Sequence, residues 1–139
     1  MKGQTLIEVI IVIAIVIILT TGIIAGTTTT LGANNASRLH TNGLQYAQEG
    51  IEIARNIRDK GWDEFAPLGD PEHKYCVGSD HVFQLATGDC PTNINNTPYA
   101  RSIILKLTNN PDGYSSMNVD VIVDWGANNV TLTTDLTQR

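Results

Sequence analysis

Four side chains of types that bind metal ions lie close together in the sequence: His73, Cys76, His81 and Cys90. The two cysteines among them could instead form a disulfide. Zinc uses such ligands, but the spacing His-x2-Cys-x4-His-x8-Cys matches no common zinc pattern. The two cysteines are the only ones in the chain, and a disulfide closing a loop of this length stabilises a protein by about 3 kcal/mol. The pattern favours a Cys76–Cys90 disulfide, with a zinc site or two free thiols as the alternatives.

Three further groups have residue types that serve in catalysis or cation binding: residues 79–81 (SDH), residues 109–113 (NNPDG), and the carboxylates of Glu49, Glu52, Asp63 and Glu64. Ser, Asp and His adjacent in sequence make poor triad geometry. The NNPDG segment is a stronger turn signal than a calcium loop, and a solvated helix face explains most of the carboxylates without an acid/base pair. The chain has no P-loop, GxSxG or HExxH motif. We therefore expect neither an enzyme nor a bound cofactor.

One carboxylate, Glu8, lies inside a long apolar run. Residues 6–19 (LIEVIIVIAIVIIL) are aliphatic apart from Glu8, and residues 9–37 contain no Lys, Arg, Asp or Glu. As a helix, residues 4–25 would be roughly 33 Å long, which matches a bilayer core of about 30 Å. A buried helix of a soluble protein is the alternative, but such helices seldom exceed about 14 residues without a polar stripe. We therefore expect residues 4–25 to span a membrane.

An ionisable residue within a membrane span indicates a function and requires a partner. Lys2 is six positions from Glu8. Side chains on a helix are neighbours at a spacing of three or four positions, so these two do not face each other. Cleavage before Gln4 would create an α-amino group about one helical turn from Glu8. That ammonium could pair with Glu8 of its own chain or of a neighbour.

Residues 3–16 (GQTLIEVIIVIAIV) resemble the N-terminal processing motif of type IV pilins and of secretion-system pseudopilins. In that family a prepilin peptidase removes a short basic leader after a glycine, and the new N-terminal residue is then methylated. The resemblance implies that residues 1–3 are a leader cut after Gly3 and that Gln4 is N-methylated. Gln4 departs from the family pattern, in which Phe is the most frequent residue at that position.

The same resemblance implies the assembly residues. Thr5 and Leu6 match the next two positions of the motif, and Glu8 matches the glutamate that guides assembly by pairing with the N-terminus of a neighbouring subunit. The implied partners are other pilin subunits, a prepilin peptidase/methyltransferase and the membrane. Residues 49–65 also resemble a stretch common in pilin-like proteins of the PilV type.

Charge predicts the topology and excludes one class of partner. Lys2 is the only basic residue near either end of the span, so we expect the N-terminus in the cytoplasm and the rest of the chain outside, where disulfides persist. The formal net charge of -5 and the pI ≈ 4.9 argue against direct nucleic acid binding. The expected location is the cytoplasmic membrane and then an extracellular or periplasmic filament.

Beyond the span, the sequence predicts a helical part and then a sheet. Residues 26–60 begin with a stretch of low helix propensity (GTTTTLG), where the first helix either ends or softens, and continue as an amphipathic helix with small residues on its apolar face. Residues 61–139 form the expected head. It begins with an irregular part containing one possible strand at 81–86, followed by three segments of alternating polarity.

These features predict an α+β fold in which a long N-terminal helix packs on an antiparallel sheet of three to four strands. The resemblance implies that this fold is pilin-like. The resemblance implies a structural subunit of a type IV pilus or pseudopilus-like filament. The alternative is a single-pass, membrane-anchored extracellular binding module or enzyme that does not polymerise.

Overall fold

The structure, a computed structural model, describes residues 2–91, 94, 96–109 and 113–138. Its elements are α1 (Lys2–Lys60), α2 (Trp62–Phe65), a 3-10 turn (Ala66–Gly69), β1 (His73–Val77), β2 (Phe83–Leu85), β3 (Ala100–Asn109), β4 (Ser115–Trp125) and β5 (Asn128–Thr137). The chain divides into two compact units, Met1–Leu39 and His40–Arg139. We call the first the N-terminal segment and the second the head.

The threonine-rich part of the N-terminal segment is helical, which decides between the two possibilities that the sequence leaves open. α1 includes all of residues 26–32. Threonine hydroxyls donate hydrogen bonds to carbonyl oxygens one turn earlier, each at 2.9 Å: Thr20 to Val16, Thr21 to Ile17, and Thr30 to Gly26. Because these hydroxyls are satisfied within the helix, they remain compatible with apolar surroundings.

In the head, small residues let α1 lie close to the sheet. Ala47 and Ala54 are fully buried. A Cβ atom on Gly50 would lie 2.6 Å from Val121 Cγ1, so any larger residue there would have to displace the helix or the strand. The predicted apolar face of this helix is therefore the face that packs on the sheet.

The sheet is antiparallel throughout, with the strand order β2-β1-β3-β4-β5. Along β4, the alternation of polarity buries one side against α1: Met117, Val119, Val121 and Val123 are all fully buried. The predicted α+β class, with the helix packed on an antiparallel sheet, is confirmed.

The sheet has one strand more than the three to four that the sequence predicts. The additional strand is β1 (HKYCV), which lies between a proline and a glycine and is too short to show a period. It is held by its neighbours, since Tyr75 lies opposite Ile103 of β3 and Leu85 of β2. β2 falls within the strand predicted at 81–86. The turn predicted at 109–113 falls on residues 110–112, which lie outside the described residues.

Candidate functional site

The candidate assembly residues lie in the N-terminal segment, whose aliphatic side chains are exposed. The described large aliphatic side chains from Leu6 to Ile24 are each 51–69% exposed. Among the described residues, α1 is the one helix that is long and apolar enough to cross a membrane, with a mean hydropathy of 3.0 in its most apolar part. An apolar surface of this extent marks contact with lipid or with other protein rather than with water. The N-terminal segment is therefore a candidate membrane anchor.

Glu8 lies within this apolar surface and is itself exposed. Gly3, Gln4 and Thr5 belong to α1, but their side chains lie outside the described part of the chain. Positions 4 and 8 of a helix share a face and are about one turn apart. α1 thus places Glu8 one turn from the predicted new N-terminus. Leu6 lies between these two positions in the sequence, and its side chain is 63% exposed.

The two cysteines form the disulfide that the sequence favours. Cys76 lies in β1 and Cys90 follows β2, with 5.4 Å between their Cα atoms. Because both sulfur atoms are used in this bond, the alternative zinc site with His73 and His81 is wrong, and so is the alternative of two free thiols. The bond ties the segment after β2 to β1, which pairs with β3.

Beside the disulfide lies a buried cation that sequence reasoning missed, Arg101. Its side chain is 0% exposed and projects from β3 toward α1. The Nε group donates to the carbonyl of Val77 (3.1 Å), and Nη2 donates to the carbonyl of Gly78 (2.9 Å). Nη1 donates to the carbonyl of Tyr46 (3.2 Å) and to Oε2 of Glu49 (3.0 Å). One side chain therefore joins β3, the end of β1 and the helix.

Glu49 extends this cluster to the surface. Its Oε2 atom binds Arg101, while its Oε1 atom lies 3.1 Å from Nε2 of His81 in the β1–β2 loop. Glu49 is 42% exposed and His81 is 53% exposed, so water screens their interaction. The arrangement holds the loop against the helix. We describe Arg101, Glu49 and His81 together as the arginine anchor.

Two of the other polar side chains singled out in the sequence, those of Asp80 and Glu52, have structural partners. Oδ1 of Asp80 accepts a hydrogen bond from the backbone N–H of Val82 at 3.2 Å. Glu52 pairs with Arg55 at 2.6 Å on the exposed face of α1. Within the described ranges, no group of three or more His, Cys, Asp or Glu is placed to hold a metal ion. None of these contacts assembles reactive groups around a common point.

Tyr75 ties β1 to the 3-10 turn that follows α2. Its hydroxyl donates to the carbonyl of Leu68 at 2.9 Å, and the residue is 8% exposed. Burial raises the pKa of the Tyr75 hydroxyl above its usual 10, because the phenolate would lose its hydration.

The molecule thus presents two features of different character. The N-terminal segment carries one carboxylate in an apolar helical surface, and the head carries a disulfide and the arginine anchor, which fix its loops. Neither a family model nor a curated protein nor a solved structure matches this chain.

Proposed function

We propose that this chain is a structural subunit of a type IV pilus or pseudopilus-like filament rather than an enzyme. In this proposal, a prepilin peptidase cuts after Gly3, and the amino group of Gln4 is methylated. The N-terminal helix first spans the cytoplasmic membrane, with the head outside. It then packs against the same helix of neighbouring subunits.

The observation that carries the proposal is a single carboxylate in an otherwise apolar helical surface. Glu8 is the only charged residue between Lys2 and Arg38, and the aliphatic side chains on all sides of the helix are more than half exposed. A helix that is apolar all round needs lipid or other helices as neighbours. A simple anchor gains nothing from Glu8, whereas a polymer subunit gains a site for pairing.

Transfer from the membrane to a filament would change the surroundings of Glu8 more than those of its aliphatic neighbours. A carboxylate near the middle of a span costs roughly 2.5–3.5 kcal/mol, and less near the end. Beside the α-ammonium of a neighbour's Gln4, the same carboxylate would accept a charge-assisted hydrogen bond. For aliphatic side chains, by contrast, lipid tails and other helices are about equally apolar surroundings. The Glu8 pair would therefore favour the filament over the lipid.

Two further observations support the proposed orientation, in which the head lies outside the membrane. Disulfides persist outside the cytoplasm, and Cys76 and Cys90 are joined. Lys2, at the other end of the span, favours a cytoplasmic N-terminus. The two signals are independent and agree on a head outside the membrane.

Mass spectrometry of the mature N-terminus tests the processing step. When the full chain is co-expressed with a prepilin peptidase, we expect a product that begins at Gln4 and carries one methyl group. Gly3→Leu should keep Met1, because a bulky side chain then occupies the cleavage site. Gly26→Leu, the matched control within the span, should be processed normally. An intact Met1 in the unaltered chain, or a cut beyond residue 25, contradicts the proposal.

Substitution of Glu8 tests the assembly step separately. Glu8→Ala and Glu8→Gln should be cleaved normally but enter filaments poorly, because neither side chain can form the ion pair. Glu8→Asp keeps the charge and should enter filaments better than Glu8→Gln. Normal incorporation of Glu8→Gln would show that the pair has no role. A chain that is cleaved but never leaves the membrane would instead be the anchored module that does not polymerise.

A further inference from the structure

A cleft of ≈ 490 Å³ opens in the head where α1 ends and α2 begins. It is lined by Arg58, Asp59, Gly61 and Trp62. Small-molecule sites in proteins occupy roughly 300–1,000 Å³ and combine an apolar surface with a few polar groups. The cleft has this size and this mixture of groups, and it shares no residue with the predicted assembly site or with the arginine anchor.

Gly61 leaves the cleft open, because a Cβ atom at this position has no neighbour within 4 Å. Its φ of 173° is extended backbone, which any residue can adopt, so the turn between the two helices does not itself require glycine. The backbone N–H groups of Glu64 and Phe65 donate to the carbonyl of Gly61 at 3.3 and 3.2 Å, which fixes the turn. A side chain at position 61 would therefore occupy the cleft without disturbing the fold.

Trp62 supplies an aromatic surface of fixed orientation. The residue is half-buried, and its indole makes an edge-to-face contact with the fully buried ring of Phe65. The ring centroids are 5.8 Å apart, and the ring planes meet at 68°. The face of an aromatic ring is electron-rich and attracts groups with a partial positive charge, such as the C–H groups beside oxygen atoms in a sugar ring.

Arg58 and Asp59 supply hydrogen-bonding groups of opposite charge. Nε and Nη2 of Arg58 both contact Oδ1 of Asp59, at 2.8 and 2.7 Å. The side chain of Arg58 is 13% exposed, and that of Asp59 is 53% exposed. Within the residues that the structure describes, Oδ2 of Asp59, Nη1 of Arg58 and Nε1 of Trp62 have no hydrogen-bond partner. One acceptor and two donors thus remain for a ligand.

We propose that this cleft binds a neutral saccharide, with the C–H face of one pyranose ring against the indole of Trp62. A hydroxyl group both donates and accepts hydrogen bonds, so adjacent hydroxyls of a sugar can donate to Asp59 and accept from Arg58. An anion would be repelled by the carboxylate of Asp59, and a cation by the guanidinium of Arg58, whereas a neutral ligand meets neither repulsion. This binding goes beyond the proposed filament function and does not depend on it.

Saturation-transfer NMR of the full chain in phosphatidylcholine nanodiscs, which carry no sugar, tests the binding. The probes are methyl β-glucoside, methyl β-galactoside and chitotriose. We expect saturation of the ring C–H protons of at least one probe, with no displacement by an excess of sodium acetate or inorganic phosphate. Transfer to none of the three above the level of empty nanodiscs, or displacement by either anion, would overturn the proposal.

Two substitutions test whether the probe occupies this cleft. Gly61→Leu fills the cleft and Trp62→Leu removes its aromatic surface, so each should weaken binding by roughly 10-fold or more. Gly88→Leu is the matched control for the first, because a Cβ at Gly88 also has no neighbour within 4 Å. Tyr114→Leu is the control for the second, because Tyr114 is an aromatic residue of the head that is 70% exposed. Both controls should bind the probe like the unaltered chain.

The denaturant unfolding midpoint shows whether a loss of binding is a loss of folding. Gly61→Leu should unfold at the same denaturant concentration as the unaltered head, because its added side chain enters open space. Trp62→Leu provides a second, independent loss of binding in which the cleft stays open. Equal binding by Gly61→Leu and Gly88→Leu, or by Trp62→Leu and Tyr114→Leu, would overturn the assignment of the saccharide to this cleft.

Discussion

The N-terminal segment and the head use the same aliphatic residue types in opposite surroundings. Ile13 in the N-terminal segment is 53% exposed, whereas Ile103 in β3 is fully buried. The mean hydropathy of the whole chain, -0.05, describes neither region. The head covers its aliphatic residues by packing α1 on a sheet. The described residues of the N-terminal segment form a single helix with no such cover within their unit, so this region requires lipid or other helices.

The comparison implies that the head depends on particular contacts, while the N-terminal segment depends on its surroundings. Substitutions that remove or crowd a contact should therefore lower the free energy of unfolding of the head. Comparable substitutions in the N-terminal segment should change it little. Both tryptophans, Trp62 and Trp125, lie in the head. Their fluorescence during denaturant unfolding of the full chain in detergent consequently reports on the head alone.

The largest effect is expected for the arginine anchor. Arg101→Met should lower the free energy of unfolding by about 4 kcal/mol, because the carbonyl groups of Val77 and Gly78 lose their buried donor at about 1–3 kcal/mol each. Arg55→Met, which removes a largely exposed ion pair, should cost less than about 1 kcal/mol. Similar unfolding midpoints for the two variants would contradict the buried anchor.

The disulfide should contribute the next largest effect. Replacement of both cysteines, Cys76→Ser with Cys90→Ser, should cost about 3 kcal/mol, because the unfolded chain regains the entropy of an open loop. A reducing agent should lower the stability of the unaltered head by a similar amount and leave the double variant unchanged. If the reducing agent also lowered the stability of the double variant, the loss of stability would have a cause other than this bond.

A matched pair of glycines sharpens the contrast between the two regions. Gly50→Val should destabilise the head by about 1–3 kcal/mol, because a Cβ there meets Val121 and Arg101 at 2.6 and 3.1 Å. Gly26→Val adds the same side chain at a position where a Cβ has no neighbour within 4 Å, so the fluorescence transition should be unchanged. If Gly50→Val leaves the transition in place, the close approach of α1 to the sheet is wrong.

The smallest effect is expected at Tyr75 and should depend on pH. Tyr75→Phe removes the hydrogen bond to Leu68, worth about 1 kcal/mol. Since burial raises the pKa of Tyr75 in the folded head, its contribution is fully present below about pH 10 and is lost as the pH rises further. Unfolding titrations from about pH 8 to pH 11 should thus show a steeper loss for the unaltered chain than for Tyr75→Phe. Parallel curves would contradict the raised pKa.

Elements with a strong local pattern were predictable from the sequence, and contacts between distant positions were not. The alternation of β4 predicts which side of that strand is buried, and the small residues of α1 predict its close packing on the sheet. β1 is too short to show a period and is defined by its pairing with β3. Arg101 was missed because its side-chain partner, Glu49, lies 52 positions away. The only available signal was a charge on the same side of β3 as the aliphatic residues Ile103 and Leu105.

The central claim is that the N-terminal segment exchanges lipid for neighbouring helices. The most direct measurement is the recovery of this chain in extracellular filaments sheared from cells that also make a prepilin peptidase and the associated assembly machinery. The account predicts that the sheared fraction contains the chain beginning at Gln4, with Glu8→Gln depleted and Glu8→Asp retained. Recovery of the unaltered chain solely in the membrane fraction, while the same cells shed filaments that lack it, would contradict the account.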